Sequence, residues 1–248
     1  MELKSAGELA TMREAGRVVA TVLAALRDAA RPGASTADLD ALAAELTRKA
    51  GAKPSFKGYR GYPATLCASI NEEVVHGIPS KKRKLREGDI IGLDFGVIVE
   101  GFHGDSAITV PVGRVSPEAE RLIEATRRCL ELAIDRARPG NRLHDIGAAV
   151  QEHAEGHGFS VVRDFVGHGI GRRLHEDPQV PNYGPAGEGM RLRAGMVLAI
   201  EPMVNVGTWE VEVLDDDWTA VTADGKLSAH FEHTVAITED GPSILTLP

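Results

Sequence analysis

Ile90-Ile91-Gly92-Leu93-Asp94-Phe95-Gly96-Val97-Ile98-Val99 sets a carboxylate in the middle of a run that otherwise reads as a buried strand. The apolar and β-branched residues predict a strand over 89–99. Glu100-Gly101 is a turn signal, and the chain is expected to return over 102–112. The return arm contains Phe102-His103-Gly104-Asp105-Ser106, which faces Asp105 back across the hairpin from Asp94. An ionised carboxylate in such a strand is costly unless it is paired or holds a metal.

Upstream of the hairpin, Ser5-Ala6-Gly7-Glu8 is a capping-box pattern opening a helix, with Leu9, Met12, Val19, Val22, Leu23 and Leu26 at helical spacing. Arg31-Pro32-Gly33 stops it, and Ser35-Thr36 caps a second helix that ends near Gly51. Residues 58–63 read as a loop and 65–70 as a strand. Downstream, Ser116-Pro117-Glu118 opens a long helix that Arg138-Pro139-Gly140 stops.

The punctuation repeats. Ala30-Arg31-Pro32-Gly33 recurs as Ala137-Arg138-Pro139-Gly140, and Leu85-Arg86-Glu87-Gly88 as Leu192-Arg193-Ala194-Gly195, both 107 positions later. Asp38-Leu39 and Asp145-Ile146 share that offset, and continuing it sets Asp94 on Glu201. His76-Gly77-Ile78 resembles His168-Gly169-Ile170 at an offset of 92, so about 15 extra residues are expected within 171–190. The expected architecture is α+β: two pseudo-symmetric halves, roughly 5–112 and 116–248, with antiparallel sheet and helices and a site between them. The whole of 1–248 is read as a single catalytic domain.

The second half repeats the buried-acid problem. Glu201 ends the apolar run Val197-Leu198-Ala199-Ile200, and Glu232 leads into another. Neutralising Asp94, Asp105, Glu201 and Glu232 with buried basic residues would take several cations, and the strands that carry the acids contain none. Divalent metal answers the charge. Carboxylates with one histidine form a mostly hard, oxygen-rich set suited to Mn, Fe, Co or Zn. The acids exceed the need of one ion, which suggests two ions that share and acidify one water. Of the histidines, His76, His168 and His175 stand out by the repeat and their glycine-rich or charged surroundings. His103, His144, His153, His157 and His230 are read as ordinary surface or core residues, and His233 as a support for its acidic neighbour.

The chain has 248 residues, 43% hydrophobic and 26% charged, with a net charge of −8. This globular balance is the wrong sign for a nucleic-acid binder, and no nucleic-acid specificity is expected. Cys67 and Cys129 show no paired spacing, the N-terminal residues do not read as a signal peptide, and no apolar run is long enough for a membrane span. A cytoplasmic protein with no membrane contact is expected.

Taken together, these motifs resemble the type I methionine aminopeptidases, bacterial-type metallopeptidases of the pita-bread fold. The resemblance covers nearly the whole chain. It rests on residues 71–79, 92–96, 104–105, 167–171, 175–178, 200–202 and 231–234. It implies that Asp94, Asp105, His168, Glu201 and Glu232 bind two divalent ions (Co, Mn, Fe, Zn or Ni), with Asp105 and Glu232 bridging them. The pair would activate a bridging water for peptide hydrolysis, with His76, His175 and Glu201 as catalytic residues. His76 and His175 would contact the substrate, and Tyr59, Tyr62, Cys67 and Trp218 would line a methionine pocket. Leu174 departs from the pattern, since an aromatic residue is expected before the second histidine.

The resemblance further implies removal of the initiator methionine from nascent polypeptides when the second residue is small. Only 26 positions separate His175 from Glu201, too few for the helical insert of type II members. Xaa-Pro aminopeptidases and prolidases share the fold but usually carry a separate N-terminal domain, for which this length leaves no room. A pita-bread binding module that has lost its metals would have lost ligands. The basic run Lys81-Lys82-Arg83-Lys84, with Arg86, reads either as a solvated turn or as a ribosome contact, and a monomer is expected.

Overall fold

A computed structural model describes residues 2–248. Four helices carry most of the mass around the sheet: α1 (Ala6–Ala29), α2 (Thr36–Lys49), α3 (Pro117–Arg136) and α4 (Leu143–Gly156). Their starts follow the local chemistry. Ser5 with Glu8, and Ser35 with Asp38, form reciprocal capping boxes, and Ser116 caps α3 ahead of a proline in its first turn. Among the described residues no helix is long and apolar enough to cross a membrane.

The main sheet is antiparallel and runs Lys53–Pro54, Ile90–Val99, Phe102–Pro111, Glu232–Thr238, Val197–Ile200, Gly167–Gly169, Glu176–Val180. Leu66–Ile70 pairs with Ile90–Val99, and Gly241–Ile244 with Glu232–Thr238. The expected hairpin is present, and Glu100 and Gly101 make its turn with φ of +48° and +83°. One apolar cluster joins α1 and α2 to the first strands through Val19, Leu23, Leu39, Leu93 and Phe95. A second joins α3 and α4 to the later strands through Leu122, Ile146, Leu198 and Val235.

Backbone hydrogen bonds also recur 107 positions apart. Gly33 N–H donates to Leu85 O (2.8 Å) and Gly140 N–H to Leu192 O (3.0 Å). Thr36 N–H donates to Arg83 O and Leu143 N–H to Met190 O, each at 2.9 Å. Gly33 and Gly140 both have φ of +90°, a region that only glycine enters cheaply. The second half differs from the first in its return strand. Val197–Ile200 pairs with Glu232–Thr238, but the residues between them do not make a tight turn. They contribute to two small three-stranded sheets, one of which joins Val211–Val213 and Ala220–Thr222 to Glu73–Val75.

Candidate metal centre and substrate cavity

Strand register determines which acids meet. Asp94 lies opposite Ala107 and Asp105 opposite Gly96, so the two carboxylates share a face one diagonal step apart. Gly96 keeps that face open, because a Cβ there would sit 3.1 Å from Asp105 Oδ1 and 3.0 Å from a Phe56 ring carbon. Glu232 pairs with Ala107 on the next strand. Glu201 follows Ile200, whose partner is His233, and His168 pairs with Ala199. The five sequence-predicted ligands therefore converge from neighbouring strands where the two halves of the sheet meet.

One ligand atom from each of Asp105, His168 and Glu232 lies within 4.8 Å of the others. His168 Nε2 is 3.6 Å from Glu201 Oε1. Its Nδ1 faces the Gly169 carbonyl at 2.9 Å, which requires a proton on Nδ1 and leaves the Nε2 lone pair for the acids. Burial holds the His168 imidazole down to about 3, helped by the neighbouring His175, so this ring is neutral. Glycine flanks it for steric reasons, as a Cβ on Gly169 would lie 2.2 Å from the Asp177 carbonyl oxygen.

Desolvation is the main cause raising the carboxyl pKa of Asp94, Asp105, Glu201 and Glu232, and for Asp94, Glu201 and Glu232 repulsion from the other acids adds to it. Among the described residues no lysine or arginine makes an ion pair with any of them. Asp94 Oδ1, Asp105 Oδ1 and Glu232 Oε1 are buried without a hydrogen-bond partner. Buried polar atoms are rarely left so. Repelling carboxylates, unpartnered oxygens and a neutral imidazole together fit a bound divalent cation.

These residues open onto a cavity of about 350 Å³ that is also lined by Tyr59, Tyr62, Cys67, His76, Leu174, His175 and Trp218. Every residue the sequence assigned to the site is therefore on one cavity wall. Tyr62 is buried, with its hydroxyl 3.1 Å from both Leu66 O and Gly77 O and its ring edge-on to Trp218 at 5.0 Å. Burial raises the pKa of the Tyr62 phenol and the Cys67 thiol, so both stay neutral beside an apolar guest. Leu174 is buried in the same apolar cluster. His175 is exposed and stacks on Tyr59 at 5.2 Å, with its Nδ1 2.8 Å from the Tyr59 hydroxyl. His76 adopts φ of +63°, a costly conformation for a non-glycine residue, and burial lowers its pKa to about 4.

Several residues of the site escaped the sequence reading, His230 and Phe165 among them. His230, read as an ordinary histidine, is buried with Nε2 3.6 Å from Glu201 Oε2 and no hydrogen-bond partner there. Its position two residues before Glu232 was the available signal. Phe165 lines the cavity and stands edge-on to His76 at 5.5 Å, and nothing local in the sequence marks it. His233, read as a support, has Nδ1 2.8 Å from the Thr246 hydroxyl. In the basic run, Arg83 is engaged by Glu73 in an ion pair.

Set against known proteins, residues 10–239 match the model of Metallopeptidase family M24, and the chain belongs to this family. Its relatives narrow the class. It is 55% identical over 245 residues to the methionine aminopeptidase of Clostridium acetobutylicum, covering 99% of this chain and 98% of that one. The crystal structure of methionine aminopeptidase from Thermotoga maritima superposes with a TM-score of 0.99 at 49% identity over the full length of both chains. A prolidase from Pyrococcus horikoshii shares the fold at a TM-score of 0.80 and 21% identity, but this chain spans only 63% of it. The α+β pita-bread architecture read from the sequence is the one these comparisons show.

Proposed function

We propose that this chain removes the initiator methionine from new polypeptides whose second residue is small. In this reading Asp94, Asp105, His168, Glu201 and Glu232 would hold two divalent ions. The observation that carries it is the set of unpartnered buried oxygens on Asp94, Asp105 and Glu232, opening onto the same cavity as an apolar pocket. Divalent ions bound there supply Lewis acidity and a water of lowered pKa.

The chain's own residues do the rest. Tyr62, Cys67, Leu174 and Trp218 offer neutral, apolar surface that suits a thioether side chain. His76 and His175 face the same cavity and orient the peptide. His76 is neutral at physiological pH, and His175, with Nδ1 occupied by Tyr59, has its other ring nitrogen free for the substrate. Glu201 lies beside His168 and the other acids, where a bound cation would keep its carboxylate ionised and aimed at the reacting bond. The side chain after methionine enters the cleft between His76 and His175. Bulk there is excluded sterically, and overpacking a fixed site costs about 1–3 kcal/mol or more.

We place this activity in the cytoplasm, where nascent chains emerge. The exposed Lys81, Lys82, Lys84 and Arg86 are the surface available for ribosome contact. The test is kcat/KM for a Met-Xaa-Ser peptide series together with metal content per chain. Gly, Ala and Ser at the second position should be cut, and Lys, Leu and Phe left. Equal rates for Ala and Lys, or faster cleavage of proline-second peptides lacking methionine, would refute the specificity. Full activity with one ion per chain would refute the paired site.

A further inference from the structure

Lys4 is the one lysine buried in this protein among the described residues, with 4% of its side chain exposed. It precedes α1 and is remote in sequence from every residue of the cavity. A buried ammonium is costly unless it is well paired. Its partner is Glu176, whose Oε2 lies 2.8 Å from Lys4 Nζ and whose side chain is only 10% exposed. Lys4 Nζ also donates to the Glu2 carbonyl at 3.3 Å.

Glu176 follows His175 directly. Its other oxygen, Oε1, accepts the Arg173 N–H at 3.1 Å and so closes the turn that presents Leu174 and His175. One carboxylate thus ties the turn to itself and to Lys4. The neighbouring backbone makes room for this arrangement. A Cβ on Gly171 would meet Lys4 Cε at 2.4 Å, Lys4 Nζ at 2.6 Å and Glu176 Oε1 at 2.9 Å. The lysine is itself held in place, since its N–H donates to Gly195 O at 2.7 Å, at the turn just before Val197–Ile200 and Glu201. The same short segment therefore touches both the turn carrying His175 and the start of the strand leading to Glu201.

We propose that Lys4 is a positioning residue for His175. Through Glu176 it fixes the 171–176 turn, while the Tyr59 hydroxyl fixes the ring itself. This rests on the reading of His175 as a substrate-contacting residue. Displacement of a catalytic group by about 1 Å can cost on the order of 100-fold in rate. Lys4→Met keeps the length of the side chain and removes the ammonium. It should lower kcat by about 10- to 100-fold and leave KM within about twofold.

The decisive measurement is a double-mutant cycle of Lys4→Met with His175→Ala on the metal-loaded full chain. Hydrogen exchange over 171–177 and metal content are measured in the same variants. If Lys4 acts through His175, Lys4→Met slows the wild type but adds no further loss to His175→Ala. Exchange at the Arg173 amide rises and metal content stays unchanged. Should Lys4→Met fold poorly because Glu176 is left unpaired, Lys4→Met/Glu176→Gln removes the lone charge and should still lose kcat. An equal loss in both backgrounds, unaltered exchange, or a wild-type kcat in Lys4→Met overturns the proposal. Full kcat in His175→Ala alone would instead overturn the role given to His175.

Discussion

Stripping the metal from this protein should give it a stability optimum near pH 6.5, with an alkaline limb that the metal abolishes. Two sets of buried groups pull in opposite directions. Asp105 and Glu232 are 4% and 2% exposed, and burial raises their carboxyl pKa values, that of Asp105 from 3.8 to about 7. A raised folded pKa means that the folded state holds protons the unfolded state has lost. The stability this lends is present at low pH and disappears as pH rises through the folded value. His103, His168 and His230 show the reverse. Burial holds them down to about 4, 3 and 3, so the unfolded chain takes up protons below about 6.5 that the folded chain refuses. Their stability is present above that pH and lost on acidification.

Above pH 6.5 the histidine contribution fades and the carboxylates dominate. A proton held only by the folded state is worth about 1.4 kcal/mol per pH unit until pH passes the folded value, so Asp105 should cost about 1 kcal/mol between pH 6.5 and 8.5, and Glu232 adds to it. For a chain of this size the Asp105 part alone corresponds to about 2–4 °C in Tm. Bound metal favours the ionised carboxylates and should flatten this limb while releasing protons on binding. The assay is thermal unfolding of chelated and metal-loaded protein across pH 5–8.5, with proton release measured by calorimetry in buffers of different ionisation enthalpy. A chelated protein with constant Tm from pH 6.5 to 8.5, or a loaded protein that falls equally, would refute the electrostatic account of the site.

Asp105→Ala or Glu232→Ala should abolish peptide hydrolysis and lower metal stoichiometry, because each loss strips a ligand from the proposed ions; metal analysis beside the peptide assay checks it, and full activity at unchanged metal content would contradict the paired site. Leu174→Phe should narrow the methionine pocket and reduce turnover of norleucine-first peptides relative to methionine-first ones, with metal content unchanged. It adds bulk to a buried position, so a loss of about 1–3 kcal/mol in stability should accompany it, read by denaturant unfolding.

Much of the site was legible because its chemistry is local. Asp94 and Glu201 are conspicuous as charges at apolar strands, and the strands themselves, Ile90–Val99 and Phe102–Pro111, carry period, turn and composition in one stretch. Helix starts were equally plain, since Ser5, Ser35 and Ser116 satisfy orphan amides with their own side chains. What stayed hidden depends on pairing between distant segments. Trp218 was reached only through the family resemblance, because it comes near His76 by the pairing of Ala220–Thr222 with Glu73–Val75, and short irregular strands announce no partner. His230 looked ordinary because burial against Glu201 is a tertiary property. Nothing local in the sequence marks the burial of Lys4, for the same reason.

The meeting line of the two halves accounts for how so many acids can be gathered without breaking the sheet. Between Phe102–Pro111 and Glu232–Thr238 only Glu232 with Ala107 and His233 with Ser106 are paired directly. On either side a threonine hydroxyl stands in for the missing backbone ladder. Thr234 Oγ1 accepts the Asp105 N–H at 3.0 Å and donates to the Asp105 carbonyl at 2.7 Å. Thr109 Oγ1 does the same for His230, at 2.9 and 2.8 Å. A hydroxyl can both donate and accept, so each threonine satisfies two backbone groups where the strands have separated. The residues held this way are Asp105 and His230, which lie on opposite strands of the acid cluster. The spreading that gives the carboxylates room is therefore fixed by side chains specific to that line, and Asp105 is placed by Thr234 from the same strand that carries Glu232. The geometry of the centre thus belongs to the junction between the halves, which neither half forms alone.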